Sequence, residues 1–429
     1  TDVVQNKGAE YYTVGTTTST DGTFLGTGNK CNVKCEIDKQ GNVVDKNVFE
    51  YGDIVLFESA DGYANSVEVD AKSRIVITNK SINDSFICTT LTGEYKLVGA
   101  CENSGGYCVV LNFTGTLNTG IEKISSNGSQ DGLIIEFGPK GVTRWYKTFG
   151  ASNNDEISGV FATNDLFVYG SYSTAMIIDN VSLPTPKGGY DVFLFQISTN
   201  GESIAARTFG GTQDDMITSA VETSDGSLLI GGSSYYSASI DVDGDGTADI
   251  TKVNNSTSTS QYFSDGYVAK LASSTDMTSK LTFMDTVVGT SYETVSTVAE
   301  TTGGAMLAGG YFDSTTVDIK DAVSAFTSGG NTDAFVTSYS EVQPSPGVVV
   351  HHYIKDTTTP VPSKNGGTVA DVTLADGNVG DAYTTTASDD IQQNFQLVTT
   401  PANATGTYAD TLTEVTYYYD YKTPTLTNQ

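Results

Sequence analysis

The residues best placed for chemistry lie in one short acidic run. Between Ile240 and Ile250 the sequence DVDGDGTAD sets carboxylates at Asp241, Asp243, Asp245 and Asp249, with Gly246 at the sharp bend. A hard divalent cation takes roughly six to eight oxygens, and aspartates at alternate positions deliver three carboxylates from one tight loop. Thr247 would add a backbone carbonyl. The expected cofactor is therefore a structural calcium ion held by Asp241, Asp243, Asp245, Thr247 and Asp249, stiffening the loop rather than carrying out a reaction. Position twelve is Lys252, not the bidentate glutamate of a full helix-loop-helix hand, so the remaining ligands must come from elsewhere. Without an ion, four carboxylates so close would repel one another on the order of several kcal/mol in a low-dielectric loop.

Other chemistry is sparse. The only histidines, His351 and His352, are adjacent on an expected strand, so they point to opposite faces and cannot form a metal pair or a shared base. There is no G-x-S-x-G elbow, no phosphate-cradling glycine loop ending in lysine and no H-E-x-x-H. A glycosidase-type carboxylate pair is assembled in space rather than in sequence, so a glycan hydrolase stays as a third reading behind a non-enzymatic one. The five cysteines, Cys31, Cys35, Cys88, Cys101 and Cys108, contain no C-x-x-C. Cys101 and Cys108 can close a hairpin staple, or all can be small buried side chains; an odd number leaves at least one thiol unpaired or intermolecular.

Charge narrows the partners. Fifty-one acidic against 22 basic residues give a net charge of −29, the wrong sign for nucleic acid or an anionic membrane surface. No apolar run approaches the roughly 18 residues needed to span a bilayer, so no membrane insertion is expected in this segment. The chain starts at Thr1 without a basic-then-apolar leader, which suggests a processed or trimmed start. Asn79, Asn83, Asn112, Asn127, Asn180 and Asn403 sit in N-x-S/T triplets, glycan acceptors in a glycosylating secretory route.

The elements that must carry these residues are strands. Forty-five glycines and 24 tyrosines among many threonines, serines and asparagines predict an all-β chain of short strands and tight turns. Internal repetition is strong. DGLIIEFGPKGVTRWYKTFGASNNDEISGV from Asp131 aligns without gaps on DVFLFQISTNGESIAARTFGGTQDDMITSA from Asp191, pairing Gly141 with Gly201, Phe149 with Phe209, Gly150 with Gly210 and Asp155 with Asp215. A third copy starts at Asp265, a partial fourth at Asp333, and CEIDKQGNVVDKNVF marks an earlier one. Residues 80–125 read either as a degenerate unit or as a long insertion. Each unit reads as four strands, and one such sheet cannot hide both faces, so copies must pack face to face.

Over about residues 10–342 the repeats resemble the bacterial β-propeller repeat of secreted and surface proteins, with Trp145 at the tryptophan position and Ala205 replacing it in the next copy. The resemblance implies a propeller of about four to six four-stranded blades. The acidic run is similar to loops of dockerins and integrin-type propellers, which implies a ninth-position ligand at Asp249. At the ends, YYTVGTTT (11–18) reads as a second strand without a first and DAFVTSY (from Asp333) as a third without a clear fourth. Edges left open would suit pairing with another chain.

Gln343-Pro-Ser-Pro-Gly347 breaks the pattern as a stiff linker. The segment C-terminal to it resembles the mucin-binding protein domain of Gram-positive surface proteins: Val348, Val350 and His352 with Tyr353, then Gly377, Gly380 and Tyr383, then Phe395, Leu397, Pro401, Asn403, Gly406 and Tyr408, and finally Val415, Tyr417 and Tyr419. The resemblance implies a small β-grasp-like sheet domain found on adhesin stalks. Its tyrosine stripe reads as core and sheet surface, or as a sugar-stacking platform. The expected organisation is a propeller with a calcium-loop insertion over 1–343, a linker over 344–347, a mucin-binding-like domain over 348–422, and a tail over 423–429.

These readings converge on an extracellular, bacterial cell-surface protein without enzyme activity, binding glycan or extracellular matrix. The alternative is a building unit of an extracellular filament or surface layer, whose partners are copies of itself.

Overall fold

The computed structural model describes residues 2–6, 10–17, 31–37, 43–49, 53–59, 61–103, 105–235, 240–249, 263–301, 304–319, 326–339, 347–374, 377, 380–409 and 412–423. For the first four stretches this means the backbone, with the side chain of Cys35. The linker residues 344–346, Lys252 and the tail beyond residue 423 lie outside it.

The described residues form strands and turns, with no helix among them. Two compact units are present, Thr1–Tyr339 and Ser340–Gln429. In the first, successive antiparallel sheets follow the chain. Sheet 1 holds β1 (Asp2–Asn6), β2 (Glu10–Thr17), β3 (Cys31–Ile37) and β4 (Val43–Phe49). Sheet 2 holds β5 (Ile54–Glu58), β6 (Ala64–Val69), β7 (Arg74–Asn79) and β8 (Asp84–Thr90). Sheet 3 comes next as β9 (Thr92–Asn103), β10 (Gly106–Asn118), β11 (Lys123–Phe137) and β12 (Thr143–Phe149).

Sheet 4 is β13 (Asp155–Ala162), β14 (Leu166–Tyr172), β17 (Asp191–Ile197) and β18 (Ser203–Phe209), with a side hairpin of β15 (Met176–Ile178) and β16 (Val181–Leu183). Sheet 5 is β19 (Asp215–Glu222), β20 (Leu228–Tyr235), β21 (Ser264–Leu271) and β22 (Leu281–Val288). It is extended by β25 (Thr316–Ile319) and β26 (Phe326–Thr327). Sheet 6 has β23 (Glu293–Glu300), β24 (Met306–Phe312) and β27 (Asp333–Tyr339).

Two sequence expectations change here. The segment from Glu10 is preceded by its own first strand, β1, because Asp2–Asn6 pairs antiparallel with Glu10–Val14. Residues 80–125 are neither a separate unit nor an insertion: they finish sheet 2 through β8 and begin sheet 3 through β9 and β10. DAFVTSY is the last strand of sheet 6 among the described residues.

The repeats are equivalent down to their irregularities. The hairpin of third and fourth strands carries a bulge at Glu136/Phe137, Gln196/Ile197 and Lys270/Leu271, and that of first and second strands at Ile157/Gly159, Ile217/Ser219 and Val295/Thr297. Bulges increase local twist, so each sheet is twisted in the same places.

Packing runs from sheet to sheet. The first strand of each sheet lies against that of the next, from β1 through β5, β9, β13 and β19 to β23. Apolar side chains fill the gaps: Ile75, Ile77, Val109 and Leu111 between sheets 2 and 3, and Val110, Ile134, Phe149 and Phe193 between sheets 3 and 4. Each such side chain contributes roughly 1.5–3 kcal/mol on burial. Trp145 reaches further. Its indole Nε1 donates to Thr199 O at 3.1 Å, and a Cβ on Gly201 (φ +84°) would stand 2.8 Å from the ring. Only glycine fits that turn, for space as well as for φ. No closed ring of sheets is seen among the described residues.

The second unit has a sheet ordered β29 (Val372–Leu374), β28 (Val348–Ile354), β33 (Thr413–Tyr421), β31 (Phe395–Thr399), with β28 and β33 parallel. A two-stranded ribbon of β30 (Ala382–Thr384) and β32 (Thr405–Thr407) accompanies it. Its core is Val348, Val350, Val361, Phe395, Val415, Tyr417 and Tyr419.

Candidate functional site

The acidic run lies between β20 and β21 and is anchored by two apolar residues, Ile240 and Val242, both 1% exposed and packed in the core between sheets 4 and 5. Gly244 (φ +72°) and Gly246 (φ +89°) turn the loop in the left-handed region, where a side chain would be strained. Asp241 Oδ1 accepts the N–H of Gly244 (2.6 Å) and Asp245 (3.2 Å), and its Oδ2 that of Gly246 (2.9 Å). Asp249 Oδ2 accepts Val242 N–H at 2.7 Å. Asp243 reaches out of the loop, its Oδ2 accepting Leu281 N–H of β22 at 2.9 Å.

Carboxylate oxygens of Asp241, Asp243 and Asp249 thereby come within 4.8 Å of one another. Asp245 is exposed and outside this group; its Oδ1 accepts Thr247 N–H at 2.7 Å. Burial raises the pKa of Asp249, and the charges of Asp243 and Asp241 add to that rise. The Leu281 N–H holds Asp243 below the ordinary aspartate value.

Arg207 of β18 fixes the loop from beneath. Its buried guanidinium donates to three carbonyls: Met277 O (2.9 Å), Val242 O (3.3 Å) and Ser279 O (2.6 Å). One side chain thus ties sheet 4 to the acidic loop and to the β21–β22 connection. With Asp243, Gly244, Met277, Thr278 and Lys280 it lines an open cavity of about 470 Å³.

The tyrosines of β33 alternate. Tyr417 and Tyr419 are buried, whereas Tyr418 is exposed. Inside, the His352 ring stacks on Tyr417 (5.5 Å, 21°), and its Nδ1 meets Tyr419 OH at 3.0 Å. Tyr419 OH also accepts Ser388 N–H, and Tyr417 OH bonds Thr385 Oγ1, both at 3.0 Å. Outside, Tyr353 stands directly across from Tyr418. His351 stacks on Tyr353 (5.1 Å, 21°), its Nδ1 2.9 Å from both Tyr353 OH and Asp371 Oδ2. Desolvation raises the Tyr353 pKa, and the charges of Asp371 and Glu414 add to it.

Residues 363–420 match the MucBP domain. The landmarks of that resemblance have structural roles: a Cβ on Gly377 would stand 2.2 Å from the Tyr408 ring, Tyr383 OH donates to Asn403 O (3.1 Å), and Asn403 Nδ2 donates to Glu414 O (2.9 Å). No curated protein matches the chain. Among solved structures, a protein of unknown function from Bacteroides caccae is similar over 65% of this chain and 73% of its own, at 9% identity and a TM-score of 0.28. One from Dyadobacter fermentans is similar over 78% and 92%, at 10% identity and a TM-score of 0.39. No helix among the described residues is long and apolar enough to cross a membrane.

Sequence reasoning missed one set of charged groups. Asp155, Asp191, Asp215, Asp265 and Glu293, at or beside strand starts, and Asp131, inside β11, are all buried. Two hold the loops before them, Asp155 accepting Ala151 N–H (2.7 Å) and Asp191 accepting Lys187 N–H (3.0 Å), while Asp131 accepts the N–H of Asn127 in its own strand (2.7 Å). The signal was present, since Asp131, Asp191 and Asp265 open the aligned copies. A Cβ on Gly210 would stand 2.5 Å from the Asp191 carboxyl, so the glycine after each phenylalanine leaves room for a carboxylate.

Proposed function

We propose that this is a non-enzymatic surface protein of the bacterial exterior that binds neutral glycan through the outer face of its C-terminal sheet. The observation carrying this reading is the outward pair Tyr353 and Tyr418 in a unit matching the MucBP domain over most of its length. Aromatic faces stack on the C–H face of a pyranose, while carboxylates accept its hydroxyls. Asp371 and Glu414 flank the rings. With the net charge of −29, they favour uncharged sugars over sialylated or sulfated ones. The strand order of this unit, with first and last strands parallel at its centre, supports a grasp-like sheet. The sequential four-stranded sheets of the first unit support a propeller-type scaffold.

We further propose that the acidic loop takes a structural calcium ion on Asp241, Asp243 and Asp249. The converging carboxylates and the glycine-bent loop support it. The ion would neutralise charges that otherwise repel, and would brace a loop already tied to two sheets through Arg207 and Leu281.

A glycan array tests the first reading. Binding to neutral glycans should persist after sialidase treatment of the ligands and fall at least about tenfold in Tyr418→Ala, the scale expected for losing an aromatic contact. Binding to no glycan sinks it. For the second, titration calorimetry should record calcium uptake by the wild type and none by Asp243→Ala; equal uptake by both would remove the ion from this loop.

A further inference from the structure

One row across sheet 3 is unlike its counterparts. Cys101 of β9 stands directly opposite Cys108 of β10, and Cys108 directly opposite Glu136 of β11. Directly opposed residues of antiparallel strands project to the same face with Cα atoms about 4.5–5.5 Å apart. That spacing lies within the roughly 4.4–6.8 Å that a disulfide spans. The two thiols are close enough to hydrogen-bond, and both are free. The same row in sheet 4 is Phe161, Phe167 and Gln196, and in sheet 5 Val221, Leu229 and Lys270. Apolar pairs therefore satisfy this position as packing; the thiols of sheet 3 add a pair placed to cross-link, with Cys108 held well above the ordinary thiol pKa by its hydrogen bond to Cys101, by burial and by the charge of Glu136.

Glu136 also differs from the residues at its place in sheets 4 and 5. Gln196 Nε2 donates to Asp165 and Lys270 Nζ to Asp225, at 2.8 and 2.9 Å. Glu136 is fully buried. Its Oε1 has long contacts to Asn103 Nδ2 (3.5 Å) and Arg144 Nη1 (3.4 Å), while Oε2 has no hydrogen-bond partner. A buried carboxylate oxygen without a partner is costly, and here it stands beside a thiol pair.

We propose that Cys101 and Cys108 are a redox-active dithiol that closes to a disulfide, with Glu136 accepting the proton released on closure. Cys101, the more exposed of the two, gives up its proton and attacks a small-molecule disulfide as the thiolate, forming a mixed disulfide and releasing one reagent thiolate, which takes up that proton. Cys108 then attacks Sγ of Cys101. Its proton passes to Glu136, the bond from Cys101 to the reagent breaks, and the second reagent thiolate leaves and takes up a proton. Once Glu136 passes its proton to the departing thiolate, the chain has lost two protons and two electrons, and the reagent disulfide is reduced to two thiols. Burial pushes the Glu136 pKa up to about 7, which suits a carboxylate to take and return that proton near neutrality.

Both cysteines fall in one tryptic peptide, 97–123, between Lys96 and Lys123. The full chain is equilibrated with glutathione disulfide, both native and during refolding, then alkylated, digested and weighed. The expected peptide is two hydrogens lighter and unalkylated, and takes two alkyl groups only after reduction. A doubly alkylated peptide under both regimes, or one cross-linked to Cys31, Cys35 or Cys88, overturns the proposal. Cys108→Ser should stop at a stable glutathione adduct on Cys101. Glu136→Gln, which installs the residue found at the matching place in sheet 4, should slow closure on the order of tenfold near neutral pH. Equal rates would remove Glu136 from the step.

Discussion

Arg207 ties together three segments around the acidic loop. Its guanidinium serves three carbonyls that lie 35, 70 and 72 residues along the chain. Arg207→Met keeps the stem but leaves those carbonyls without their donor, so the loss should be about 2–4 kcal/mol by chemical denaturation, with weaker calcium uptake in the same protein. Arg207→Lys should recover little, because an ammonium cannot reproduce the planar fork. Calorimetric calcium affinity unchanged in the methionine variant would show that the arginine braces the fold without shaping the loop. The contrast with Asp241, Asp243 and Asp249 shows what a sequence displays at this scale. Those three converge through a local turn, so their spacing announces them. Arg207 falls opposite Lys147 in the aligned repeat and looks like another strand cation; its role depends on partners supplied by a different sheet.

At the scale of strands, the period-2 pattern was legible and its two faces were not interchangeable. Val348, Val350 and His352 point inward from β28, and Val415, Tyr417 and Tyr419 inward from β33, so the alternating tyrosines of β33 named as landmarks are core, whereas Tyr353 lies on the outer face. The sugar-facing candidates are the intervening residues. The 80–125 segment was illegible because the sequences of β8, β9 and β10 do not align with the later copies; only strand pairing shows which sheet each joins. His352 gives this unit a pH dependence. Burial lowers its pKa below the ordinary 6.5, with the charge of His351 adding to that and Asp371 opposing it. The unfolded chain therefore takes up a proton near pH 6.5 that the folded sheet refuses. Stability is kept above that pH and lost as pH falls through it. Hydrogen exchange of β28 and β33 should accelerate, after correction for intrinsic rates, between pH 7 and pH 5. In His352→Phe, whose ring can keep the stack on Tyr417, that acceleration should shrink.

The whole first unit should respond to pH with the opposite sign. Burial raises the carboxyls of Asp215 to about 7 and Asp265 to about 8, with Glu293 beside Asp265 raised as well. In the unfolded chain these groups ionise near 4. Between those limits the folded state holds protons that the unfolded state has lost, so their contribution is full below about pH 4 and disappears as pH rises through 7 to 8. Each such group adds a slope of up to about 1.4 kcal/mol per pH unit within its window. The formal net charge of −29 on the full chain pushes the same way as carboxylates ionise. Thermal unfolding of the full chain should therefore occur at lower temperature at pH 9 than at pH 6. Asp265→Asn keeps the shape but cannot ionise, and it leaves Gly289 N–H an oxygen to bond. It should flatten this decline, most clearly between pH 6 and 8. A parallel decline in wild type and variant would mean that Asp265 is already ionised in the folded protein. The repeated carboxylates would then be anchors that keep their charge, each compensated by the loop amides it binds.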